Sequence, residues 1–262
     1  MSNFIIFTQG PSIVDWISAL APAITILFSI IGYFIKRKID LKNEISENYR
    51  TIEVNITMNL ENLYRIREEL KSFKVRISEV SDDTKNMTGS KNFSLNYTNF
   101  PAIIEISRNE DLPKLKTNSY YLHNKIIWAD RHLKQFDSML VGLEKVFTEL
   151  NQRNETVLRL VREDGVDAIQ QRSQYAENLD SFALLIEESF IKYCDNIIRL
   201  LMQIKIYNHK IRQKGKGFIR ECEKVKRKTP LDIPSEIDRI DNLINDEVVS
   251  RMREAESRAK SQ

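Results

Sequence analysis

Ten cations fall between Lys205 and Lys228: Lys205, Lys210, Arg212, Lys214, Lys216, Arg220, Lys224, Lys226, Arg227 and Lys228. Only Glu221 and Glu223 oppose them. A run of that density attracts phosphates, whether of nucleic acid or of anionic lipid. The bland alternative is a solvated helix end whose cations complement the helix C-terminus. No aromatic platform or nucleic-acid-binding motif accompanies the run, so sequence-specific readout of bases is not supported.

Other residue types that carry chemistry are scattered. His123 and His132 are nine apart on one expected helix, which points them to nearly opposite faces, so they cannot chelate one ion together. Cys194 and Cys222 lack CxxC or His-Cys spacing and read as buried or idle thiols. Glu187-Glu188 and Asp82-Asp83 read as solvated surface, and no glycine precedes a Lys-Ser/Thr pair that would cradle a phosphate. The expectation is a protein that is not an enzyme, with no cofactor and no small-molecule substrate.

The elements that position these residues begin with an apolar segment. Trp16 to Ile35 carries no charged residue. As a helix it is roughly 30 Å long, the thickness of a bilayer's hydrocarbon. Trp16 marks one edge; Tyr33 and the cations Lys36, Arg37 and Lys38 mark the other. Pro22 is tolerated in a membrane helix, where it kinks the first turns. Met1 to Ser12 holds no Lys or Arg, which argues against a cleavable signal peptide. The same asymmetry predicts a short extracytoplasmic tail over 1–12 and a transmembrane helix over 13–35. The remainder would lie on the cytoplasmic side of an inner (plasma) membrane.

Beyond the span, apolar residues recur at alternating spacings of four and three. One series runs Ile45, Tyr49, Ile52, Ile56, Asn59, Leu63, Ile66, Leu70, Phe73, Ile77, Val80. A second runs from Leu122 to Leu150, a third from Leu179 to Ile211, and a shorter fourth from Ile233 to Val248. Such stripes predict long, coiled-coil-like helices. Extra apolar residues beside the second stripe (Ile127, Met139, Val146) and the third (Phe182, Ile198, Leu201, Ile206) call for more than one neighbour each. Asn59 either fixes register from a buried position or yields its place to Leu60. The fold expected is all-α: one N-terminal transmembrane helix followed by an elongated antiparallel helical bundle over 36–228, then a C-terminal helix and charged tail over 229–262. Lys214-Gly215-Lys216-Gly217 is read as interrupting or ending the third helix. With antiparallel neighbours the first helix leaves the membrane and the second returns toward it. The connection 81–117 then becomes a membrane-distal loop, in which Phe93, Tyr97, Phe100, Ile103 and Ile104 form a docking head or plug the bundle. The same arrangement sets the basic run far from the membrane, favouring a soluble acidic partner over lipid.

The opening Asp15-Trp16-Ile17-Ser18-Ala19 resembles the start of a group of bacterial single-pass membrane proteins with a short N-terminal anchor and a variable cytoplasmic helical domain. That resemblance implies location and carries no functional residue. The leading expectation is a membrane-anchored scaffold or sensor acting through helix–helix contacts, with the bilayer and a protein partner or a second copy of itself as partners. One alternative is a membrane-perturbing effector, for example of a bacterial defence module, triggered by oligomerisation. Another is a binder of nucleic acid or another polyanion through 205–228.

Overall fold

A computed structural model describes residues 13–86, 112–163, 167–223 and 233–259, with side chains over 25–85, 112–153, 170–223 and 234–258. Among them every regular element is a helix: α1 (Ile13–Asn86), a 3-10 turn (Leu112–Lys114), α2 (Tyr120–Glu163), α3 (Asp167–Leu185), a π-helical segment (Ile186–Ile191), α4 (Lys192–Lys214), α5 (Lys216–Cys222) and α6 (Ile233–Ala259). The protein is all-α. The chain divides into two compact units, 1–47 and 48–262, and α1 contributes to both.

In the second unit α4 is the central element. Its Cys194, Ile197, Ile198, Leu201, Met202, Ile204, Ile206, Tyr207 and Ile211 are all buried. Those side chains point around the whole helix, so neighbours must cover it on several sides. α1 runs antiparallel to α3 and α4: Asn208 donates to the Tyr49 carbonyl, the Cys194 thiol lies 3.5 Å from the Leu63 carbonyl, and Ser81 donates to the Ala176 carbonyl. α2 is also antiparallel to α4, with Tyr121 against Tyr207 and His132 against Tyr193. α6 closes a further side; Arg199 reaches Asn245 and Lys210 reaches Glu247. Arg67, only 8% exposed, clamps the three together by meeting Asp195 of α4 at 2.8 Å and Glu256 of α6 at 2.9 Å.

The stripes read from sequence form the core. Tyr49 through Ile77 of the first series, Leu122 through Leu150 of the second and Ile237 through Val248 of the fourth are buried. The extra residues beside the third stripe are buried as expected of a central helix. Those beside the second are not: Ile127 and Met139 are half-buried and Val146 is exposed. Asn59 and Leu60 are both buried, so neither replaces the other. The Asn59 Oδ1 finds no hydrogen-bond partner among the described residues.

One expectation is corrected. Both α1 and α2 are antiparallel to α4, so they are parallel to each other rather than returning on one another. The Asn48 side chain donates to the Lys116 carbonyl, and the Asn118 amide donates to the Tyr49 hydroxyl. The start of α2 therefore lies beside Tyr49, whereas α1 ends 37 residues later at Asn86, about 55 Å along its axis. The two described flanks of the connection stand at opposite ends of the second unit. Residues 87–111, with the proposed docking head of Phe93, Tyr97, Phe100, Ile103 and Ile104, lie outside the described residues.

Gly215 ends α4 where the sequence placed a break. Its φ of 65° and ψ of −153° suit glycine alone, and its amide donates to the Ile211 carbonyl at 2.7 Å. α5 then folds back, bringing Phe218 against Tyr207 with ring centroids 5.2 Å apart.

Candidate functional site

The first unit carries the largest exposed apolar surface among the described residues. Every residue from Thr25 to Glu44 is exposed. Among them Ile26, Leu27, Phe28, Ile30, Ile31, Phe34 and Ile35 show between 43% and 68% of their surface. At about 100° per residue these positions cover all sides of the helix, not a stripe. The polar group within the segment is satisfied internally, the Ser29 hydroxyl donating to the Thr25 carbonyl at 2.8 Å. Tyr33 and the cations Lys36, Arg37 and Lys38 follow, also exposed. Among the described residues no helix is long and apolar enough to cross a membrane. The side chains of 13–24, including Trp16 and Pro22, lie outside those described.

The basic run is split by the fold. Lys210 pairs with Glu247 at 2.6 Å and Arg212 pairs with Glu53, so both are tied to neighbouring helices. Lys205 is half-buried, and burial holds its ammonium below the ordinary lysine value. Lys214, Lys216 and Arg220 are exposed and have no carboxylate partner among the described residues. Lys224, Lys226, Arg227 and Lys228 lie outside them. Because Asn208 and Arg212 meet Tyr49 and Glu53, the described run sits at the end of the second unit where the chain enters it.

That same end holds a buried polar network which the sequence reading missed. Glu223 collects the hydroxyls of Ser119 and Tyr207 and, at 3.3 Å, the amide of Tyr120. Ser119 is itself the N-cap of α2, accepting from the Leu122 amide at 3.0 Å. A residue a hundred positions away thus satisfies the start of α2, where a carboxylate also suits the helix dipole. Burial nonetheless pushes the Glu223 carboxyl above its ordinary range. Next to it, Lys125 (3% exposed) donates to Asp241 at 2.6 Å and to Gln203 at 2.9 Å. Asp241 also accepts from Tyr121 at 2.6 Å. The one sequence signal was Lys125 itself, a cation set among Tyr121, Leu122 and Ile126 on the core side of α2. A buried cation needs a counter-charge from another element.

These groups spend their bonds on each other. The thiols are equally closed: burial pushes Cys194 up to about 12 and raises Cys222 as well, far from the thiolate needed for a nucleophile. No three His, Cys, Asp or Glu side chains among the described residues are grouped to hold a metal. A groove of about 850 Å³ runs over α4 between α1 and α6, floored by Leu60, Tyr64, Met202 and Ile206 and rimmed by charges of both signs. Comparison of the chain with known protein families, curated proteins and solved structures finds no match.

Proposed function

We propose that this chain is a membrane-anchored, non-enzymatic helical scaffold or sensor. In this reading its first apolar segment lies in the bilayer and its second unit presents a rigid bundle to protein partners on the cytoplasmic side. The observation that carries it is the segment 25–35, apolar and exposed on every side of one helix. Leaving that much large hydrophobic surface in water costs far more than a monomeric soluble protein tolerates, and lipid covers it with no further partner. The cations at Lys36, Arg37 and Lys38 then sit at the headgroup level and set the orientation. The non-enzymatic part is supported by the second unit's chemistry, since the buried Glu223, Lys125 and Cys194 side chains are engaged by internal bonds.

Alkaline-carbonate extraction and flotation of the full chain test this. The wild type is expected to remain in the membrane fraction. Leu27→Arg with Ile31→Arg is expected to move the folded protein to the supernatant, each cation costing about 3 kcal/mol at the centre of a span. A wild-type chain that carbonate strips from membranes overturns the reading.

A further inference from the structure

We propose that the Tyr49 end of the second unit is a docking face for anionic lipid headgroups, with Lys214, Lys216 and Arg220 as the residues that meet lipid phosphates. The inference rests on the membrane-anchored reading. Its starting point is how the fold sorts the cations of the basic run. Lys210 and Arg212 are neutralised within the bundle by Glu247 and Glu53. Lys214, Lys216 and Arg220 are left exposed, with no carboxylate partner among the described residues.

Their direction is fixed by what α5 buries. Phe218, Ile219 and Cys222 turn inward, so Lys216 and Arg220, four apart, share the outward face. The Lys214 ammonium lies 5.8 Å from the centroid of the Phe218 ring. The acid nearest in sequence on that face is Glu221, whereas Glu223 is turned inward to Ser119 and Tyr207. At the Asn86 end Lys74 is paired with Glu187 at 2.9 Å and Lys85 with Asp180 at 2.6 Å, while Lys145 and Arg153 are exposed there.

Chain connectivity decides between lipid and a soluble polyanion. Twelve residues, 36–47, separate Ile35 from the start of the second unit. Even fully extended they reach only about 40 Å, so a bilayer holding 16–35 keeps its headgroups at high effective concentration around this end. Each exposed cation then gains from the negative surface potential within a Debye length, about 8 Å in physiological salt.

The test uses the full chain in vesicles with a dye attached at Gln213→Cys, the native thiols being buried, and a quencher on the lipid headgroup. Compared with phosphatidylcholine alone, vesicles containing phosphatidylglycerol are expected to raise quenching about threefold. A dye at Asp83→Cys is expected to stay unchanged. Lys214→Glu with Lys216→Glu and Arg220→Glu should abolish the rise, as should high salt acting on the wild type, which needs no substitution. Equal quenching in both vesicles, or a rise that survives both the reversal and the salt, overturns the inference while the anchor stands. A chain that floats with neither vesicle overturns the anchor and this inference with it.

Discussion

Around Tyr49 the second unit is held by rings together with hydrogen bonds between elements remote in sequence; around Phe73 it is held chiefly by rings. At the first end Glu223 caps α2, Lys125 joins α2 to α6 through Asp241, and Asn208 reaches the Tyr49 backbone. At the second, Phe73, wholly buried, meets Phe147 and Phe182 edge-on at 5.0 and 6.2 Å, and ionic contacts are confined to the surface. Rings attract at many orientations, each pair adding about 1 kcal/mol beyond burial. A buried ion pair adds little net stability but penalises every arrangement that leaves one member alone. The aromatic end therefore supplies strength, while the polar end selects which helix ends meet, including the parallel placement of α1 and α2.

Four substitutions sharpen that contrast. Phe73→Ala should cost about 4 kcal/mol in denaturant unfolding, since it opens a cavity between three helices. Asp241→Ala should cost about 3 kcal/mol by stranding the Lys125 ammonium, and Lys125→Met with Asp241→Leu should return to within about 1 kcal/mol of wild type. If the double variant is as unstable as the single one, the polar end contributes strength and the contrast fails.

The two ends should also answer pH with opposite sign. Glu223 binds its proton more tightly folded than unfolded, because burial raises its carboxyl above 4.5. Its contribution is complete below 4.5 and is lost as pH rises through the folded value, and Glu223→Gln should remove that loss. Glu187 is held below 4.5 by the hydrogen bond from Lys74, so its contribution is present above 4.5 and is lost as pH falls. Stability measured across the acid range separates the two contributions. Smallest of all, Lys74→Ala should cost no more than about 0.5 kcal/mol, and less in high salt, because the pair is solvated.

The aromatic end was legible in the sequence and the polar end was not, for a physical reason. Heptad spacing reports which face of a helix is buried, and Ile52, Leu63, Phe73, Phe136 and Ile197 were placed in the core by it. It carries no information about which helices are neighbours, so antiparallel succession was the natural expectation for α1 and α2. What decides against it are single bonds across long sequence separations, such as Asn118 to Tyr49 and Ser119 to Glu223. Glu223 looked like a minor offset to ten cations, yet it is the cap of another helix. Gly215 was legible because a positive φ leaves a local mark. The basic run was legible as charge, but its place at the Tyr49 end followed only from the fold.

The central claim is that lipid covers the apolar segment of α1. Single cysteines at Ser29, Gly32 and Lys42, probed in inside-out native membrane vesicles with a membrane-impermeant maleimide, test it most directly. The account predicts rapid labelling at Lys42→Cys and protection at Ser29→Cys and Gly32→Cys until detergent is added. Labelling at Ser29→Cys as fast as at Lys42→Cys would contradict it.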